Sequence, residues 1–323
     1  MNSQLLLGID VGGTTVKLAF IDEEGIIVEK WEIATNRDDK GKNIMKDVAD
    51  AVLAKIAEQN ISKEQILAAG VGAPGYIDVE NGIIVEAVNL GWKNYPIQEE
   101  LEHLLQVPIV VDNDANLAAG GEKWKGAGEG AENLLAVTLG TGVGGGIIAG
   151  GEIIHGESGL AGEIGHITSV KSGGAKCNCG KSGCLETVAS ATGIARLGLE
   201  AIQLKPEGYL KSILDETGTL TAKDVFDGAK KEDETALGVI KESTEHLGFA
   251  LANLANALNP ETIVIGGGVS KAGAFLVDYI RSAFNQFAIP KIAKETTIKI
   301  AKLENDAGVI GAAWLAKQKR TSV

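Results

Sequence analysis

Apolar residues recur along this chain with two periods, and the two alternate. Leu5-Leu6-Leu7-Gly8-Ile9-Asp10-Val11 is an almost unbroken apolar run and predicts a buried strand. Gly12-Gly13-Thr14-Thr15 predicts a turn, and residues 16–21 a second strand, closed by Asp22-Glu23-Glu24-Gly25. Over residues 43–59 the period lengthens: Met45, Val48, Val52 and Ile56 share one face of a helix. Residues 68–72 read as a strand running into Ala73-Pro74-Gly75, and residues 107–112 as another. Asn113-Asp114-Ala115-Asn116 then leads into an Ala-rich helix. Further on, strands are expected at 134–139 and 147–149, on either side of a glycine turn at 140–146. Leu247, Leu251, Leu254 and Leu258 mark a helix over 245–258, which Asn259-Pro260 stops. A strand at 262–265 and helices over 272–287 and 307–318 complete the pattern. Strands alternating with helices predict an α/β sheet protein.

Past residue 133 the pattern begins again. Leu7-Gly8-Ile9-Asp10-Val11-Gly12-Gly13-Thr14 parallels Val137-Thr138-Leu139-Gly140-Thr141-Gly142-Val143-Gly144, at an offset of about 130 residues. Each copy runs on to a short glycine turn and another apolar stretch, Gly25-Ile26-Ile27 and Gly151-Glu152-Ile153-Ile154. One phosphate-loop hairpin used twice, once per lobe, accounts for this. Two unrelated glycine hairpins are the plainer alternative.

Composition narrows the class. At 323 residues there is room for one large domain or two ordinary ones. Aromatic residues make up 4% against 45% hydrophobic, so the cores must be built mainly from Val, Ile, Leu and Ala. Much of the glycine, 43 residues in all, falls in clusters, which indicates special backbone geometry and not low complexity. A formal net charge of -13 leaves no electrostatic footprint for nucleic acid or an anionic membrane. The polar start Met1-Asn2-Ser3-Gln4 enters a strand almost at once, with no basic leader and no 18-residue apolar run. Three cysteines crowded together without an export signal point to a reducing cytosol and to metal binding.

Four segments carry candidate chemistry. In the first, Gly12 and Gly13 let backbone N–H groups face an anion, while Thr14, Thr15 and Lys17 add donors. Asp10 at the strand end could hold a hydrated Mg²⁺ bound to phosphates. A Walker loop is absent, because a strand follows where a helix should, and a plain hairpin stays open for this segment alone. The second loop, with Gly140, Thr141, Gly142 and Gly144, strengthens the phosphate reading, since two facing hairpins can clamp one nucleotide. Gly266-Gly267-Gly268, between a strand and a helix, offers nucleotide contact or merely a tight turn. Asp112-Asn113-Asp114 ends a strand, where α/β sheets place ligand groups; an Asp could take a hydroxyl proton there, or Asn and Asp could cap the helix. Finally, His166 with Cys177, Cys179 and Cys184 makes a closed tetrahedral zinc set, bracketed by Glu163 and Glu186. The plain alternative is three free core cysteines and an unrelated histidine. His103, His155 and His246 have no partner in sequence and read as surface or core residues, and the mixed run Lys230-Lys231-Glu232-Asp233-Glu234 as a solvated face.

Taken together these motifs resemble the ROK family of sugar kinases and repressors over essentially the whole chain, and its bacterial glucokinases most. The resemblance rests on Glu163-x-x-His166 with Cys177-x-Cys179-Gly180-x-x-Gly183-Cys184-x-Glu186. It is joined by Gly72-Ala73-Pro74-Gly75, Asn89-Leu90-Gly91-Trp92, Asn113-Asp114-Ala115-Asn116 and the glycine run from Leu139 to Gly146. It implies a two-lobed actin/hexokinase-like (ribonuclease H-like) α/β fold with a ligand cleft between the lobes. The small domain would span 1–115, completed by the C-terminal helix over 305–323, and the large domain 116–304 would carry the zinc loop. The activity implied is ATP-dependent phosphorylation of glucose at its 6-hydroxyl, an entry step of glycolysis, in a homodimer or homotetramer. By resemblance Asp114 is the catalytic base, and Asn113, Asp114, Glu163, His166, Glu186 and Gly75 bind the sugar. ATP and Mg²⁺ would meet Asp10, the two hairpins and Gly266–Gly268, and structural Zn²⁺ would sit on His166, Cys177, Cys179 and Cys184. Mannose, fructose, N-acetylglucosamine or N-acetylmannosamine as substrate, and polyphosphate as donor, remain open. A repressor of the same family would need an N-terminal helix-turn-helix, for which the first phosphate loop near Asp10 leaves no room.

Overall fold

Two five-stranded sheets of the same topology frame the protein, whose computed structural model describes residues 4–321. The polar start Met1–Ser3 and the last two residues of the 305–323 segment lie outside the described residues. The first half comprises β1 (Leu5–Val11), β2 (Thr15–Asp22), β3 (Ile27–Ala34), α1 (Ile44–Glu58), β4 (Ile66–Ala73), β5 (Tyr76–Asp78), β6 (Ile83–Ala87), β7 (Trp92–Tyr95), α2 (Ile97–Leu105), β8 (Ile109–Asn113) and α3 (Asp114–Lys125). Then come β9 (Leu134–Leu139), β10 (Val143–Ala149), β11 (Glu152–Ile153), α4 (Glu186–Ala189), α5 (Ala191–Leu204), α6 (Tyr209–Thr217), α7 (Ala222–Lys230) and α8 (Glu234–Leu258). The chain closes with β12 (Thr262–Gly266), α9 (Ala274–Phe287), α10 (Pro290–Glu295), β13 (Thr297–Ile300) and α11 (Ala307–Thr321).

The sheets run β3-β2-β1-β4-β8 and β11-β10-β9-β12-β13, with β5-β6-β7 as a small third sheet. In each large sheet the first strand pairs antiparallel with the next and parallel with the fourth in order. The two glycine hairpins are therefore equivalent parts of one repeated unit, β1–β2 and β9–β10. The alternation of side chains along a strand decides what covers each face. Leu5, Leu7 and Ile9 of β1 share a core with Val48 and Val52 of α1 and Leu101 of α2. Leu6, pointing the other way, packs with Val309 and Ala313 of α11. The second sheet repeats this division: Leu135 and Val137 join Leu247 and Leu251 of α8, while Leu134 and Ala136 join Leu117 of α3 and Trp314 of α11. Helices α3 and α11 thus lie between the sheets.

Three expected elements change. The turn predicted at 140–146 contracts to Gly140–Gly142, closed by the Gly140 N–H on the Gly142 carbonyl at 3.0 Å. Strand β10 begins at Val143 and pairs through its glycines, Gly146 opposite Ala136. Glycine is needed there because α3 crosses closely: a Cβ on Gly146 would lie 2.7 Å from the Ala119 Cβ. Helix α8 starts at Glu234, eleven residues before the expected start, because Asp233 caps it by accepting from the Ala236 N–H at 2.9 Å. The glycines at 266–268 open onto a 3₁₀ turn, Gly268–Ala272, and only then onto α9. The charge run at 230–234 is solvated, as its mixed signs require. No helix among the described residues is long and apolar enough to cross a membrane.

Candidate active site

The carboxyl ends of β1, β8 and β9 open into one cavity of about 510 Å³. Asp10 and Lys17 enter it from the first hairpin, Gly140, Thr141, Gly142 and Gly144 from the second, and Asp114, Glu163, His166, Glu186 and Gly267 from around it. A side cavity of about 110 Å³ adds Gly75 and Asn113 next to Asp114 and Glu163. A second, about 250 Å³, adds Gly266 and Gly268. Gly12, Gly13, Thr14 and Thr15 form the turn beside the cleft and line none of the three. That turn is held by the Gly12 N–H on the Thr15 carbonyl (3.0 Å) and by the Thr35 hydroxyl on the Gly12 carbonyl (2.8 Å).

Pairing of β1 with β2 puts Asp10 opposite Lys17. Burial pushes the Asp10 carboxyl above its usual range and Lys17 offsets this in part. Lys17 Nζ also donates to the Asn305 carbonyl at 3.2 Å. Asn113 is the N-cap of α3: its Oδ1 accepts from the Ala115 N–H at 2.9 Å, and its Nδ2 donates to the Gly75 carbonyl at 3.2 Å. Capping and site placement, alternatives in sequence, are thus combined in one residue. Asp114 opens α3 and faces the cleft. Protein surrounds it on most sides although its edge is open to water, so desolvation raises its pKa to about 6, helped by the negative charges of Asp10 and Glu163. Glu186 begins α4 and reaches back to the second hairpin, where its Oε2 accepts from the Val143 N–H at 3.1 Å. Gly142 makes room for it, since a Cβ there would lie 2.3 Å from that oxygen.

The side chains of His166, Cys177, Cys179 and Cys184 converge, each offering one ligand atom within 4.8 Å of all the others. Cys179 Sγ and Cys184 Sγ are 3.5 Å apart, and Cys177 Sγ lies 3.5 Å from His166 Nδ1. A tetrahedral zinc with ordinary Zn–S and Zn–N bonds spaces its ligands about 3.8 Å (S to S) and about 3.6 Å (S to N) apart, so the set fits zinc. Burial pushes the Cys177 thiol up to about 12 and also raises Cys184, whereas the Lys181 N–H on its sulfur lowers Cys179. A cation is what would hold all three as thiolates. With Nδ1 turned to the sulfurs, His166 Nε2 faces Glu163, whose Oε2 is 3.6 Å away.

Two pairs escaped sequence reading. His155, expected to be a partnerless surface or core residue, places Nε2 2.7 Å from Oδ2 of the fully buried Asp112. His246 likewise has a partner, the Ser169 hydroxyl at 2.8 Å from Nδ1. The two members of each pair are far apart in sequence, and no local spacing signals such contacts.

The ROK family model matches residues 6–319. The chain is 54% identical over all of its 323 residues, and 98% of the relative's length, to a glucokinase of Halalkalibacterium halodurans. A crystal structure of a ROK family glucokinase from Streptomyces griseus in complex with glucose and AMPPNP superposes with a TM-score of 0.77 at 34% identity, covering 97% of this chain and 99% of that one. The ROK hexokinase of Thermus thermophilus does so with a TM-score of 0.84 at 28% identity, over 99% and 100% of the two chains. The protein is a member of the ROK family, with the two-lobed actin/hexokinase-like fold of its sugar kinases.

Proposed function

We propose that this protein transfers the γ-phosphoryl group of ATP to the 6-hydroxyl of glucose. The observation that carries the reading is the meeting, in one cavity, of Asp114 with the sugar-reading set Glu163, His166 and Glu186 and with both glycine hairpins. Glucokinase relatives of near-equal length support the choice of sugar and nucleotide. Asp114 accepts the hydroxyl proton as the oxygen attacks the phosphorus in line. Asn113, beside Gly75, and the Glu163–His166–Glu186 group orient the ring. Backbone N–H groups of the hairpins, with Thr14, Thr15 and Lys17 beside the first, face the phosphates, and Gly266–Gly268 border the far end. Bound Mg²⁺ would neutralise phosphate charge, and Asp10, whose carboxyl lines the cleft, would help to hold such an ion. Zinc would be structural, because four protein ligands close its shell. The small lobe comprises 1–115 with α11, a division supported by the packing of α11 on β1 and β4. Two or four copies would assemble; exposed Phe249, Phe287 and Ile289 on one side of the large lobe support this. Cysteines that form no disulfide and suit a metal fit a cytoplasmic enzyme.

A coupled assay across hexoses, with ATP or polyphosphate as donor, tests the reading. Glucose with ATP should lead mannose, fructose, N-acetylglucosamine and N-acetylmannosamine in kcat/KM by about tenfold or more, since polar sites reject an inverted or substituted hydroxyl. Another hexose, or polyphosphate, in first place would overturn it. Acidity gives a second test. The base must be a carboxylate, and its pKa is raised to about 6, so kcat/KM for glucose should fall as pH drops through 6. A flat profile down to pH 5 would remove Asp114 from that role.

A further inference from the structure

We propose that His155 is a positioning residue that ties the sugar-binding loop of the large lobe to the strand end carrying the catalytic base. This rests on the kinase reading above. Asp112 is the residue before Asn113 and Asp114, and its side chain is fully buried. Its Oδ1 accepts from the Asn113 N–H at 2.7 Å and from Asn116 Nδ2 at 2.9 Å. Its Oδ2 faces His155 Nε2 at 2.7 Å. Among the described residues no Lys or Arg bonds it, so His155 is its one partner able to carry positive charge. A buried carboxylate without such a partner is costly, and this cost makes the pair a strong constraint.

The constraint joins two sites. On one side, Asp112 fixes the first turn of α3 through Asn113 and Asn116, and with it the direction of Asp114. On the other, His155 begins the loop that ends in Glu163. The Ile154 N–H bonds to the Ile147 carbonyl of β10, and the Ala161 N–H closes back on the His155 carbonyl at 2.9 Å. The cavity of about 110 Å³ between them is walled by Asn113 and Asp114 from the first side and by Gly159–Glu163 from the second. Asn116 also borders it, and its Oδ1 has no hydrogen-bond partner among the described residues. Loss of the His155 contact should let the two walls drift apart without touching the nucleotide side.

The test compares His155→Ala, His155→Gln and wild type. The ring is partly exposed, so its removal opens no core cavity, and Gln can place an N–H donor near the position of Nε2. In His155→Ala, kcat/KM for glucose should fall about 10–100-fold, the worth of a hydrogen bond to a charged group, with a raised glucose KM. The ATP KM should stay within about threefold, and His155→Gln should recover most of the loss. A general folding defect would instead lower kcat through lost active enzyme and leave both KM values alone. In an Asp112→Asn background, adding His155→Ala should cost under about threefold, because the pair is already broken. An unchanged glucose KM in His155→Ala, an equal rise in the ATP KM, or full additivity with Asp112→Asn overturns the proposal. Hydrogen exchange at the amides of residues 113–116 and 155–163 reads the coupling without turnover, and both segments should exchange faster in His155→Ala. A wild type that fails to phosphorylate glucose sinks the kinase reading; the exchange result still decides whether His155 couples the segments.

Discussion

Asp114→Ala should lower kcat by about 10²–10⁴-fold, the range general-base assistance contributes. A primary hydroxyl is far too weak an acid to ionise in the cleft, so its proton must leave as the bond to phosphorus forms. The transition state of phosphoryl transfer is loose, so proton loss comes late, and the base gains most from being in place. Asp114 is in place because Asn113 caps α3: the Asn113 Oδ1 and Asp114 Oδ1 both accept from the Ala115 N–H, each at 2.9 Å. Burial and the negative charges of Asp10 and Glu163 raise its basicity toward the working pH, which favours proton capture. The hairpins and the remaining sugar-reading groups are untouched by the substitution, so the ATP KM should stay within a few-fold and the glucose KM should rise only by the lost Asp114 contact. Asp114→Asn keeps the shape and should lose nearly as much. Initial rates with ATP and glucose at saturation decide the matter, and a variant within about tenfold of wild type would remove Asp114 from the role of base.

The repeat was legible because glycines in a hairpin are a backbone requirement, and the backbone is what recurs. It forecast both hairpins, and these take equivalent places in the two sheets. The convergence of His166 with the cysteines was legible because three cysteines within eight residues rarely serve anything but a metal. Elements without a clean period were not. The two halves of α8 differ: residues 245–258 carry a leucine stripe, whereas in 234–244 Val239 and Ile240 are buried beside the small or polar Ala236, Ser243 and Thr244. The strand start at Val143 was hidden in a glycine run, because tertiary approach and not propensity keeps those glycines extended. The Asp112–His155 contact was hidden for a different reason. A buried carboxylate inside an apolar strand looks like an interruption until the fold delivers its partner from a loop 43 residues further on.

Removing zinc should raise the glucose KM about 10–100-fold while the ATP KM stays within about twofold. The asymmetry follows from where the ligands sit. His166, Cys177, Cys179 and Cys184 lie in the long segment between β11 and α4, which holds little regular structure beyond a 3₁₀ turn at Ile164–His166 and the bridges Thr168 to Cys184 and Lys176 to Ser182. Glu163 and Glu186 stand at the two ends of the proposed metal set, so the spacing of these two cleft-lining carboxylates would depend on it. On the proposed reading His166 would serve both functions. A metal held by Nδ1 would leave the proton on Nε2, the nitrogen facing Glu163, and so would fix it as a donor to a sugar oxygen. The proposed nucleotide side is built instead from hydrogen-bonded strands, β1–β2 and β9–β10, which need no metal. Cys179→Ser gives an independent route to the same state, because Cys179 is exposed and its loss opens no cavity. Affinity for zinc should weaken at acid pH, where protons compete for sulfurs that burial already holds as thiols up to about 12 at Cys177. Metal analysis should find one zinc per chain, and steady-state kinetics before and after chelation should show the split. Equal rises in both KM values, or none in that for glucose, would mean that the cluster braces something other than the sugar site.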